Sequence, residues 1–156
     1  MSSDGTPEYV AIERLQHRYA DIVSRREWND IPALFEPGCQ ITLDLRTGEE
    51  LGFVGGDAIA QFIADAIARF DFFLFAVLNT VVDTIDVAAG RADGRMYICE
   101  LRHEAASGVP GQFSQAFGLY RDHYHRSNEG WRFARRRYAS LGRFDGNTFS
   151  AFPMPT

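Results

Sequence analysis

From Phe72 to Gly142 the chain passes through four long β-like stretches with only short turn signals between them. Phe72 to Leu78 is continuously apolar, and the β-branched pair Val81-Val82 carries that character through Asn79 to Val87. Ala88 to Asp93 reads as a turn, and Arg95 to Glu104 as the next strand. Ser107 to Gly111 reads as a flexible loop. Phe113 to Arg126 and Trp131 to Gly142 form a last long hairpin around Ser127-Asn128-Glu129-Gly130. Consecutive strands joined by short turns pair antiparallel, which leaves the helices to cover one side of the sheet.

The helical signals lie before these strands. Thr6-Pro7-Glu8 marks a start: a capping hydroxyl, a proline in the first turn and an early acid. Ile12, Leu15, Tyr19 and Ile22/Val23 then form one apolar stripe, to about Arg26. Asn29 or Asp30 caps a short second helix, Ile31 to Phe35, which Pro37-Gly38 stops. Gln40 to Leu45 alternates as a half-buried strand, and Leu51 to Val54 follows it after a turn. Asp57 caps a third helix with Ile59, Phe62/Ile63, Ile67 and Phe70 on its inner side. The expected fold is α+β: a curved antiparallel sheet wrapped around three N-terminal helices. Residues 1–8 are expected as a loose N-terminal tail, 9–145 as one domain and 146–156 as a C-terminal tail.

Function classes narrow by exclusion. The 156 residues carry a net charge of −5, and Arg135-Arg136-Arg137, the densest basic run, splits between two strand faces. Nucleic acid is therefore not expected as a partner. No apolar run reaches membrane-spanning length, and Met1 to Gly5 lacks a signal peptide's character, so a cytoplasmic protein is expected. Cys39 and Cys99 form no motif and read as free thiols. The 13 Phe, 6 Tyr and 2 Trp suit a bulky core or a cavity walled with rings.

The stretch Arg95-Met96-Tyr97-Ile98-Cys99-Glu100-Leu101-Arg102-His103-Glu104 offers two faces. Tyr97, Cys99, Leu101 and His103 fall on one, and Met96, Ile98, Glu100 and Arg102 on the other. If the first lines a pocket, His103 is its group that titrates near neutral pH, and Tyr97 and Leu101 stand beside it. The second is then the outer face, where Met96 and Ile98 exceed what a solvated sheet needs. That predicts a homodimer through the outer sheet face. Asp21 and Ser24 share a helix face, one turn apart, and either could orient an imidazole. Tyr19 lies within the apolar stripe, and its hydroxyl, like that of Tyr120, needs a partner or a substrate oxygen. Asn79 is polar inside an apolar run, and Asp44 lies on the polar face of its strand. His123 and His125 share a face with Arg121, but no third ligand accompanies them, and no metal site is expected. No nucleotide loop or nucleophile motif is present, so the expected chemistry is cofactor-free.

Several local sequences add a resemblance. They are Arg18-Tyr19-Ala20, Glu27-Trp28-Asn29-Asp30, Leu34-Phe35-Glu36-Pro37, Gly52-Phe53-Val54-Gly55, Tyr120-Arg121-Asp122, Gly130-Trp131-Arg132-Phe133 and Arg136-Arg137-Tyr138. Together, over roughly Ile12 to Asp145, the chain resembles the fold shared by nuclear transport factor 2, ketosteroid isomerase and scytalone dehydratase. Within it, the chain is most similar to the SnoaL-like branch nearest scytalone dehydratase. The resemblance implies a cone with a pocket. For dehydratase-like members it implies a His at the end of the strand that here carries His103, an Asp orienting it, a second His and pocket tyrosines. By register the Asp falls on Ser24, the second His near Phe75 and the first-strand tyrosine near Leu45.

The expected function is a cofactor-free lyase or isomerase acting by acid–base chemistry on a small hydrophobic, in one version cyclic, molecule. His103 would be its base or acid, with Asp21 or Ser24 orienting it. Tyr19 and Tyr120 would hold a substrate oxygen, beside Asn79, Tyr97, Leu101 and Asp44. The alternative is a non-catalytic binding or assembly module resembling a ring-hydroxylating dioxygenase small subunit, its cone filled by Phe62, Phe73 and Phe75. A third reading, epoxide opening by an activated water, needs Asp44, Arg102 and Asp21 to converge.

Overall fold

The computed structural model describes residues 5–106 and 109–156. Helix α1 spans Thr6–Arg25 and buries Ile12, Leu15, Tyr19, Ile22 and Val23, the single stripe that its spacing predicts. Gly5 rather than Thr6 occupies its N-cap, with Pro7 in the first turn. Its C-cap Arg26 is left-handed (φ 59°), so its backbone N–H turns back to the carbonyls of Ile22 and Val23. The expected short helix at Ile31–Phe35 is instead two successive 3-10 turns, Trp28–Asp30 and Pro32–Leu34. Pro32 has no N–H to continue a ladder, and Phe35 is already extended.

Strand β1 (Phe35–Asp44) and strand β2 (Leu51–Val54) form the first hairpin. Helix α2 (Gly56–Ile67) follows, with Gly55 as its N-cap and Asp57 inside its first turn. A Cβ on Gly56 would lie 2.6 Å from Pro32 Cα, so the glycine pair lets the helix start against the 3-10 turn. Strands β3 (Phe72–Asp86), β4 (Arg91–Ala106), β5 (Val109–Ser127) and β6 (Gly130–Phe144) run as the expected antiparallel succession. Of the expected loop at 107–111, residues 107 and 108 lie outside the described residues, and 109–111 already belong to β5.

The sheet order is β2-β1-β6-β5-β4-β3. It is curved and unclosed, and it is mixed rather than wholly antiparallel. β1 runs parallel to β6, with Gln40 opposite Arg135 and Leu43 opposite Tyr138. The physical reason is connection length: a parallel pair needs a long crossover, and everything from β2 to β5 lies between these two strands. The residues expected as a C-terminal tail include a further strand, β7 (Phe149–Ala151), which extends the same edge of β6 at Gly142–Phe144.

Helix α1 lies across the inner face of the sheet and is pinned to β3. Ser24 Oγ accepts from the backbone N–H of Phe75 at 2.9 Å and donates to the carbonyl of Ala20 at 2.8 Å. The core between them is aromatic: the Tyr19 ring meets Phe35, Phe75, Tyr120 and Phe133 edge-on at centroid distances of 5.6–6.1 Å. Among the described residues no helix is long and apolar enough to cross a membrane.

Candidate active site

β4 decides which side chains meet the interior, and its parity is the reverse of the expected one. Met96 and Ile98 are fully buried, and Glu100 and Arg102 continue their face inward. Tyr97, Leu101 and His103 point to the outer face and are half-buried. Both faces are apolar between Met96 and Cys99, so alternation there does not choose a side. The homodimer expectation thereby loses the two residues that carried it, because Met96 and Ile98 are core.

A cavity of about 260 Å³ opens between α2, β1 and the inner faces of β4 to β6. That lies near the lower end of ligand-site volumes, roughly 300–1,000 Å³, and suits a compact ligand. Its walls are apolar: Ile41 and Leu43 from β1, Leu45 after it, and Ile59, Phe62 and Ile63 from α2. Phe62 is part of the wall, while Phe73 and Phe75 pack into the core without filling the space. The cone is therefore not closed by its phenylalanines.

The same lining includes Glu100, Arg102, Arg143, Tyr19, Tyr120, Tyr138 and Ser140. Burial pushes the Glu100 carboxyl above the ordinary carboxylate range, against the opposing pull of Arg102 and Arg143. Glu100 Oε2 lies 3.7 Å from Arg102 Nη1, an ion-pair distance rather than a hydrogen bond, and its side chain keeps 23% of its accessibility. Burial lowers the Arg102 guanidinium, and Glu100 partly restores it. Tyr19, Tyr120 and Tyr138 are each raised above the ordinary phenol value, first of all by burial, so all three are neutral donors at physiological pH.

The cavity floor is a buried ion pair. Arg136 donates through Nε and Nη2 to the two oxygens of Asp122 at 2.8 and 2.9 Å. The guanidinium carbon lies 3.9–4.5 Å from the ring centroids of Phe133, Tyr120 and Tyr19. Tyr124 donates to Asp122 at 3.2 Å and accepts from Gln16 at 2.7 Å, and Thr80 donates to Gln16 at 2.7 Å. This chain of contacts joins β6, β5, α1 and β3, and it fixes the floor as a unit. Of the three Arg136 nitrogens, Nη1 has no hydrogen-bond partner among the described residues, and the guanidinium packs among the rings.

The expected site residues scatter. Tyr19 and Tyr120 line the cavity. His103 lies outside it, its Nδ1 2.6 Å from Asp71 Oδ1, and that contact holds the Asp71 carboxyl below its usual range. Asp21 is exposed on α1, and Ser24 is the pin to β3 and touches no imidazole. Asn79 is exposed because a β-bulge at Leu78 shifts the phase of β3: Val77 pairs with Ile98, but Asn79 pairs with Tyr97. The bulge turns Thr80 inward in its place. Asp44 lies in a separate groove, where it accepts from the Arg46 backbone N–H and pairs with its guanidinium at 3.3 Å. Arg102 thus meets Glu100, not Asp44 and Asp21. His123 and His125 face outward toward Asp93 and Glu36. Among the described residues no three His, Cys, Asp or Glu side chains converge as for a metal.

The missed residues are Glu100, Arg136, Arg143 and Tyr138, and the sequence points to Arg102 only for epoxide opening. One signal for the first was present: Glu100 continues the parity of Met96 and Ile98, and an acid extending an apolar strand face is what a charged cavity wall looks like. For Arg143 no local signal exists.

The SnoaL-like domain family model matches residues 6–137. No curated protein matches the chain. Several solved structures share its fold. A Novosphingobium aromaticivorans protein provisionally named scytalone dehydratase is 19% identical with a TM-score of 0.78, over 100% of this chain and 99% of that one. Kfla4162 from Kribbella flavida is 21% identical with a TM-score of 0.74, over 90% and 95%. Hexachlorocyclohexane dehydrochlorinase LinA-type3 from Novosphingobium barchaimii is 15% identical with a TM-score of 0.71, over 96% and 92%. At these identities the likeness is one of fold. With the domain matched from the first turn of α1 into β6, the chain belongs to the SnoaL-like domain family.

Proposed function

We propose that this protein is a small acid–base enzyme, a lyase or isomerase, with Glu100 rather than His103 as the group that takes and returns the proton. The observation that carries the reading is the Glu100 carboxyl, held in an apolar chamber and shifted upward by burial. A carboxylate raised in this way is a stronger base than one in water, and Arg102 and Arg143 favour its ionised form against the burial that opposes it. Tyr19 and Tyr120, neutral donors on the same chamber, are suited to hold a substrate oxygen or leaving group. The names of two structural neighbours, a dehydratase and a dehydrochlorinase, both denote eliminations, and an elimination begins with such a proton removal. Every proton-handling group in this scheme is a side chain of the chain itself.

The test is a panel of small cyclic alcohols, halides and unsaturated ketones, followed for loss of water, loss of halide or migration of a double bond. Glu100→Gln is expected to lower kcat/KM by about 10²–10⁴ with the fold intact. His103→Ala is expected to leave turnover within about threefold, since its contact with Asp71 lies at the surface, outside the chamber. Turnover that survives Glu100→Gln and is lost in His103→Ala would reverse the assignment.

A further inference from the structure

The chamber has a vestibule. A second hollow adjoins it through four shared residues, Arg69, Phe70, Arg102 and Arg143, and is otherwise polar. Three guanidinium groups therefore stand where the apolar chamber meets the vestibule. Arg69 stacks on Phe70 at 4.4 Å and is matched by Glu104 at 3.4 Å. Asp145, also in the vestibule, accepts from the backbone N–H groups of Asn147 and Thr148. Those bonds hold the Asp145 carboxyl below its usual range without pairing it with a guanidinium; Arg102 has Glu100 at 3.7 Å, and Arg143 has no ion-pair partner among the described residues.

The two guanidiniums are fixed without being used up. Arg102 donates through Nε to Ser114 Oγ at 3.2 Å. Arg143 donates through Nη2 to the Ser140 hydroxyl at 3.2 Å and, at closer range, to the carbonyl of Leu45. With Glu100 ionised, Arg102, Arg143 and Glu100 by themselves carry one positive charge in excess, and Asp145 and the Arg69–Glu104 pair lie on the vestibule side. Arginine is the residue best suited to a planar carboxylate, because its donors lie in a rigid fork.

Resting on the reading of the chamber as the reaction site, we propose that the substrate class is a compact hydrophobic carboxylic acid. Its carboxylate seats between Arg102 and Arg143 at the neck, and its apolar body enters the chamber beside Glu100. The carboxylate is recognised and not transformed, while the C–H bonds next to it are brought to the base. Arg102 and Arg143 are specificity residues in this scheme.

Benzoate and benzamide test it by calorimetry, since they share size and ring but differ in charge. Benzoate is expected to bind wild-type protein at least tenfold more tightly than benzamide, and Arg102→Gln and Arg143→Gln each to remove most of that preference. Because either variant could perturb the fold, the comparison in unaltered protein stands as its own test. Equal binding of the two probes, no binding of benzoate, or a preference untouched by both substitutions overturns the proposal. Glu100→Gln separates it from the preceding reading. That variant removes a competing negative charge and is expected to bind benzoate at least as tightly as wild type. If it also kept full turnover, the assignment of the base would fall while the anion site stood.

Discussion

Glu100 is the residue on which stability and chemistry pull apart. Burial holds its carboxyl above the ordinary range, so the folded chain keeps this proton at pH values where the unfolded chain, titrating near 4.3, has released it. Stability at this site is therefore greatest at acid pH, declines as pH rises through that window, and carries the whole penalty above the raised value. Glu100→Gln removes the penalty. Its melting temperature is expected to exceed that of wild type at neutral pH, and the gap to close as the pH falls toward about 4. A neutral-pH variant melting below wild type would show that the pairing with Arg102 and Arg143 outweighs desolvation. Activity has the opposite sign: the carboxylate is the active form, so turnover should rise with pH through the same range. Sequence reasoning put this acid and Arg102 on the outer face because it gave the opposite face of the strand, with His103, to the pocket.

At the scale of elements, the strands were legible and their phase was not. β2 was expected with the bounds it has, and α1 was placed to within a residue or so, since a stripe of one face survives any tertiary context. Phase depends on single inserted residues. The bulge at Leu78 moved Asn79 out and Thr80 in, and nothing in an apolar run announces such a step. The parallel partner of β1 was equally invisible, because local pattern carries no information about pairing across the chain. Close fit between strands now sets how the chamber is shaped. Gly118 of β5 faces Tyr138 of β6, and a Cβ there would lie 2.1 Å from the Tyr138 ring. Gly118→Ala is expected to cost about 1–3 kcal/mol in chemical denaturation and to weaken benzoate binding, since that ring has to shift at the cavity wall. An unchanged denaturation midpoint would mean the ring moves freely.

Taken whole, the molecule depends on β6. That strand pairs with β5 on one side and with β1 and β7 on the other, and it supplies Arg136, Tyr138, Ser140 and Arg143 to the site. A chain ending at Asn128 is expected to show no cooperative melting transition. A sharp transition in such a fragment would show that the helices and the first five strands fold without it. The same dependence bears on how the protein is made. Gln40 emerges from the ribosome some 95 residues ahead of Arg135, its neighbour in the finished sheet. At roughly 5–20 residues per second, translation leaves β1 waiting on the order of 5–20 seconds. Through that interval the strand of Ile41 and Leu43, which will wall the chamber, has only the short β2 as a hydrogen-bonded neighbour. The strand that helps wall the chamber is thus also a stretch that the newborn chain leaves long exposed to chaperones and to misassociation.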